Sequence, residues 1–160
     1  LSLHDALPIY KVLQTLLEAA MNFENSKMYP GLPEYFDNEG RGLYAYLTGA
    51  ASWYMLTMIT EVFGVKGDLG DLVIAPSLLP EQFDEKGSAG LKLEFARKKF
   101  EIIMHNPEKK DLRIEQIRRA VCDEKVVLEP EPEYGVRLRK SVIETLDPKK
   151  CHRIDVFFQE

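Results

Sequence analysis

The sequence predicts an α+β chain in which a helical first part is followed by a β-sandwich. Three observations predict it. Apolar residues recur at helical spacing early in the chain and alternate with a period of two later. Charge divides in the same way: between Tyr10 and Phe63 the only basic residues are Lys11, Lys27 and Arg41, whereas from Lys92 onward Lys, Arg, Asp and Glu are densely interleaved. Proline and turn-forming clusters then punctuate the second part at short intervals. The expected division sets residues 1–9 apart, assigns 10–70 to helices and gives 71–160 to strands.

Residues 1–9, LSLHDALPI, resemble the translation of a widely used sequencing adapter and are expected not to be native. The alternative is a short native segment capped by Asp5. From Tyr10 to about Phe23, Val12, Leu13, Leu16, Leu17 and Ala20 mark one amphipathic helix. Pro30, Gly31 and Pro33 break regular structure after it, and Asp37-Asn38-Glu39-Gly40 is a turn signal. Gly49 to Phe63 reads as a helix that is apolar nearly all round, which marks packing on several sides within a larger helical assembly. Gly64 suits the left-handed residue that ends it. Two helices and a long loop cannot enclose such a helix, so its partners are expected upstream of Tyr10.

In the second part Leu72-Val73-Ile74 is a short strand stopped by Pro76. Leu91, Leu93 and Phe95 alternate with Lys92 and Glu94, as in a half-buried strand. Phe100 to Met104 is another, ended by Asn106-Pro107. Leu112, Ile114 and Ile117, then Val126 to Leu128, then Ile154, Val156 and Phe158 supply the rest, with Pro130, Pro132 and Asp147-Pro148 as breakers. Several short strands between turns suggest two sheets, each with one buried face.

At 45% hydrophobic and 29% charged residues the composition is that of a soluble globular protein, and a net charge of -5 argues against a nucleic-acid surface. The longest apolar run, Ala50 to Phe63, is interrupted by Ser52, Thr57, Thr60 and Glu61, so no membrane span or signal peptide is expected. Cys122 and Cys151 lack metal-ligand spacing and read as free thiols of a cytoplasmic protein. No P-loop, dinucleotide fingerprint, nucleophile elbow or zinc-ligand pattern is present, so neither cofactor nor metal is expected.

The stretch suited to chemistry is Thr48-Gly49-Ala50-Ala51. The first-turn amides of a helix lack acceptors within it and sit at the positive end of its dipole, so a start built from small residues is shaped to hold an oxyanion, phosphate above all. Thr48 would donate its hydroxyl and Gly49 its amide. On these residues alone the structural reading, with Thr48 capping and Gly49 allowing close packing, is the commoner one, since capped helices are frequent and anion sites few.

Tyr29 to Asp84, YPGLPEYFDNEGRGLYAYLTGAASWYMLTMITEVFGVKGDLGDLVIAPSLLPEQFD, resembles the C-terminal part of the cellobiose, laminaribiose and chitobiose phosphorylases, glycoside hydrolase family ninety-four. The PEY, GRG, YLTGAASW, TEVFGVKG and LGDLV blocks occur in order. The resemblance covers about a third of the chain strongly and the remainder to Glu160 loosely. It implies the last helices of an (α/α)6 barrel before a C-terminal β-sandwich, and an inverting phosphorolysis of a β-linked glucose disaccharide or oligosaccharide to a sugar α-1-phosphate. Inorganic phosphate is then a co-substrate, and Thr48 and Gly49 inherit a phosphate-binding role. The family's general acid and its phosphate-binding Arg and His would lie upstream of Tyr10, so no catalytic residue is assigned here and the 160-residue chain is expected to be inactive.

Other residues keep two readings. Glu34 and Asp37 border a barrel mouth or form the turn; Arg41 reaches an anion or pairs with Asp37 or Glu39; Tyr44 and Tyr46 line a sugar site or pack. Trp53 reads as packing, and His105 and His152 as surface or turn residues. Two other functions remain: the terminal module of a cyclic β-1,2-glucan synthase, and a non-catalytic carbohydrate-binding or interaction module. A homodimer of the complete enzyme is among the states left open.

Overall fold

The computed structural model describes residues 3–28, 31–44, 49–110, 116–131 and 134–158, with residues 3–9 described by their backbone alone. The chain is mixed α+β with most of its regular structure in strands, and it divides into two compact units, Leu1–Ile59 and Thr60–Glu160.

In the first unit α1 (Leu3–Met21) begins seven residues before Tyr10 and runs through most of the stretch set apart in the sequence. Pro8 lies inside it and has no amide to donate one turn back. The helix stops two residues short of the expected Phe23. Asn22 caps a separate short α2 (Phe23–Ser26), and Lys27, at φ 56, closes it in the left-handed region. The buried Ser26 hydroxyl donates to the Ala20 carbonyl at 2.9 Å, tying the two helices together. The Asp37–Gly40 turn then joins β1 (Tyr35–Phe36) to β2 (Gly42–Leu43). α3 (Ala50–Thr57) passes into a π-helical turn, Met58–Val62.

Gly64 adopts φ +65, as a helix-ending glycine does. A Cβ there would sit 1.9 Å from the Ala75 carbonyl oxygen, so glycine is required by space as well as by backbone angle.

The second unit contains two sheets. One has the order β3-β4-β10-β9 and is antiparallel throughout: β3 (Val65–Asp68), β4 (Asp71–Ile74), β10 (Gly135–Leu138) and β9 (Pro130–Glu131). β3 pairs with β4 through a two-residue turn at Leu69 and Gly70, both at positive φ as this turn type requires. This hairpin draws residues 65–70, expected among the helices, into the strand unit. Pro130, expected as a breaker, pairs with Val136 in β9, an edge strand where its missing amide costs no ladder bond.

The other sheet has the order β5-β6-β11-β7-β8: β5 (Ser88–Phe95), β6 (Lys98–His105), β11 (Cys151–Phe158), β7 (Ile117–Cys122) and β8 (Val126–Leu128). Only β6 and β11 run parallel, joined through a long crossover that includes β10 and α4 (Lys140–Thr145). Alternation decides the faces. Phe100, Ile102 and Met104 of β6, with Ile154 and Val156 of β11, are fully buried, while Glu101, Ile103 and His105 face outward. Leu72, Ile74, Val136, Leu138 and Ile143 are buried as fully, each contributing about 1.5 to 3 kcal/mol by burial.

Among the described residues no helix is long and apolar enough to cross a membrane.

Candidate functional site

The site read from the sequence centres on the start of α3. Thr48 and Tyr46 lie outside the described residues. Gly49 occupies the cap position at φ −80 and ψ −10, one residue later than the threonine cap expected, and a glycine supplies no side-chain cap bond. The hydrogen-bond ladder opens with the Trp53 amide donating to the Gly49 carbonyl at 2.8 Å. The amides of the first turn precede that ladder.

Trp53 is 68% exposed rather than packed in a core. Its indole leans over the helix start. A Cβ on Gly49 would come 3.1 Å from Trp53 Cδ1 and 3.4 Å from Nε1, so glycine leaves room for the ring there. Met55 and Leu56 are likewise exposed, and none of the residues of α3 is buried. Among the described residues, therefore, nothing encloses α3, the first part of the apolar helix expected to pack on several sides, whereas Val62 near its end is buried. Tyr54 is only half-buried; burial first, and then the neighbouring Tyr10, raise its pKa.

The flanking hairpin resolves several double readings. Asp37 Oδ1 accepts the amides of Glu39 and Arg41, each at 2.9 Å, which is a turn-forming role. The Arg41 guanidinium makes no ion pair among the described residues. Glu34 is exposed and its amide bonds the Leu43 carbonyl across the hairpin. Tyr44 is exposed, at φ 57, with its ring 5.6 Å from that of Tyr35 in a tilted pair on the surface.

Both histidines of the strand unit have more specific places than a turn. His152 is buried: it follows the inward alternation of Ile154 and Val156 and packs beside Phe100, ring centres 5.9 Å apart. That alternation is visible in the sequence and is the signal that would have found it. Its Nδ1 lies 2.6 Å from Asp123 Oδ2 and its Nε2 2.9 Å from the Asp147 carbonyl. Both acceptors lack hydrogens, so both bonds form together only when both ring nitrogens carry one. Burial alone would raise the pKa of Asp123, but the hydrogen bonds from His152 and the Arg153 amide bring it below the ordinary carboxylate value.

His105 faces outward. Its Nε2 lies 2.7 Å from Asp155 Oδ1 and its ring stacks on Phe157 at 4.7 Å. Arg153 donates to the same carboxylate through Nε and a terminal nitrogen at 2.8 to 3.1 Å. At Asp155 burial again opposes, and the bonds from Arg153 and His105 together win, lowering its pKa. Fifty residues separate this histidine from its carboxylate, and only the parallel pairing of β6 with β11 brings them together.

Cys122 and Cys151 are free thiols, the first buried and the second exposed. Burial, then the nearby Asp123, push the Cys122 thiol up to about 12. Among the described residues no three His, Cys, Asp or Glu side chains gather as metal ligands.

No protein-family model matches the chain, and a search of curated proteins finds no significant match.

Proposed function

We propose that the chain is the C-terminal part of an inverting glycoside phosphorylase that cleaves a β-linked glucose disaccharide or oligosaccharide with inorganic phosphate. The observation that carries this reading is α3: an apolar helix with no buried residue, opened by Gly49 and followed by a β-rich unit. Such a helix needs further helices around it, and a barrel of paired helices supplies them. In this reading a carboxylic acid from those helices protonates the departing glycosidic oxygen while phosphate attacks the anomeric carbon from the opposite face, where an inverting hydrolase places water. Thr48 and Gly49 hold the phosphate, using one hydroxyl and one amide at the positive end of α3. The β-rich unit is then the family's C-terminal β-sandwich.

The test begins with the coding sequence upstream of codon 10. The product read from it is expected to release sugar α-1-phosphate from cellobiose, laminaribiose or β-1,2-oligoglucans in phosphate buffer. Thr48→Val in that product is expected to lower kcat/KM for phosphate by about 1.5 to 3 kcal/mol, the range for a hydrogen bond to a charged group. Normal phosphate kinetics in a destabilised variant would return Thr48 to a capping role. Turnover by the 160-residue chain alone would refute the assignment of the general acid to upstream helices, and a far longer product with membrane spans would point to the glucan synthase.

A further inference from the structure

The outer face of the five-stranded sheet carries a feature that the start of α3 does not explain. Where β6 and β11 end and β7 begins there is a cleft of about 500 Å³, within the size range of small-ligand sites. Its cations come from separate segments: Lys86 from the turn before β5, Lys110 from the loop after β6, and Arg118 and Arg119 from β7. Lys110 is matched by Glu108, 2.6 Å away. Lys86, Arg118 and Arg119 have no ion-pair partner among the described residues. Three positive charges without an ion-pair partner among the described residues thus line one cleft of a chain whose net charge is -5.

The arginine pair is placed by a break in the sheet. Pairing of β11 with β7 runs from Phe157 opposite Arg119 directly to Phe158 opposite Ile117, leaving Arg118 without a partner residue. In a regular strand one of two successive side chains points inward. Here Ile117 and Ala120 are buried, while Arg118 and Arg119 are both exposed and both line the cleft. A bulge of this kind gives up ladder pairing and re-aims a side chain, and here it turns two guanidiniums to the same side.

The neighbouring wall is apolar and held in place. His105, Phe157 and Arg119 lie in one row across the sheet. Phe157, 39% exposed, stacks on His105, which Asp155 anchors from below in the same face.

Guanidinium forks match phosphate oxygens in pairs, and a lysine adds a point charge. Three cations suit a dianion better than a single carboxylate. A nucleic acid would need a basic stripe, whereas the rest of this chain is acidic. We propose that the cleft binds a small phosphate monoester, its dianionic head held by Arg118, Arg119 and Lys86 and its body against Phe157. The proposal does not rest on the phosphorolysis reading, and its residues are separate from Thr48 and Gly49.

The test is an NMR titration of the isotope-labelled 160-residue chain with glucose 6-phosphate, inorganic phosphate and glucose. Saturable shifts are expected at the amides of His105, Phe157 and Arg119 with the ester, weaker ones at the same residues with inorganic phosphate, and none with glucose. Arg118→Gln and Arg119→Gln are each expected to weaken ester binding by about tenfold or more, the low end for a hydrogen bond to a charged group. Arg97→Gln, on the β5–β6 turn, is expected to leave it unchanged. Shifts confined to Gly49 and its neighbours, unsaturable shifts at basic residues generally, equal affinity for phosphate and ester, or unchanged affinity in the double arginine variant would each overturn the proposal. The titration of the unaltered chain decides the location even where a variant fails to fold.

Discussion

Gly64→Ala and Gly70→Ala form a matched pair that tests whether space or backbone angle makes Gly64 indispensable. Both glycines have positive φ, +65 and +95, so alanine at either is expected to cost about 1 to 2 kcal/mol from the left-handed conformation alone. Their surroundings differ. At Gly70 the added Cβ meets Lys140 Cδ at 2.9 Å, the far end of a flexible side chain that can swing away. At Gly64 it would lie 1.9 Å from the Ala75 carbonyl oxygen and 2.7 Å from Pro76 N, both backbone atoms. The segments must part by about 1.5 Å or more to restore an ordinary contact. The bond they share, Ala75 amide to Gly64 carbonyl at 2.9 Å, breaks with that movement. A buried group left without its partner adds about 1 to 3 kcal/mol, so Gly64→Ala is expected to lose about 2 to 5 kcal/mol in all. The assay is urea unfolding followed by far-UV circular dichroism, because the single Trp, Trp53, lies in the other unit. The midpoint should fall much further for Gly64→Ala than for Gly70→Ala, with the slope unchanged. Equal losses in the two variants would refute the argument from space.

Acid should destabilise the strand unit through Asp123 and Asp155. Their folded carboxyls titrate below the ordinary value, so their stabilisation is present above the unfolded pKa near about 3.9 and is lost as pH falls through the lower folded values. Unfolding free energies measured from about pH 6 to pH 3 should decline over the acid limb, and Asp123→Asn should flatten that decline; an unchanged slope in the variant would remove Asp123 from the account. Thiol labelling of the folded chain near about pH 8 should modify Cys151 alone, because the Cys122 thiol is buried and pushed up to about 12; rapid labelling of both before unfolding would contradict its burial.

Much of the local structure was legible. The strands at Leu72–Ile74, Leu91–Phe95, Phe100–Met104, Val126–Leu128 and Ile154–Phe158 were readable because a buried face imposes a period of two on the residues themselves. The turn at Asp37–Gly40 and the positive φ of Gly64 were readable for a similar reason: the side chain, or its absence, acts on its own backbone. The start of α3 was located to within a residue, although its cap falls on Gly49 and Thr48 lies outside the described residues.

What escaped the sequence depends on partners far along the chain. Periodicity says that a face is buried without saying what pairs beside it, so it left open the parallel β6–β11 ladder that joins His105 to Asp155. The same pairing carries His152 into the core beside Phe100 and within reach of Asp123. Pro130 looked like a breaker because a missing amide forbids an inner ladder, and only the sheet order showed that it lies at an edge. No local pattern marks the two arginines at 118 and 119; the one-residue slip in register with β11 turns both to one side. Residue type and local spacing act within a few peptide units, and they decided helix, turn and strand; register acts between chain segments tens of residues apart, and it alone decided which side chains meet.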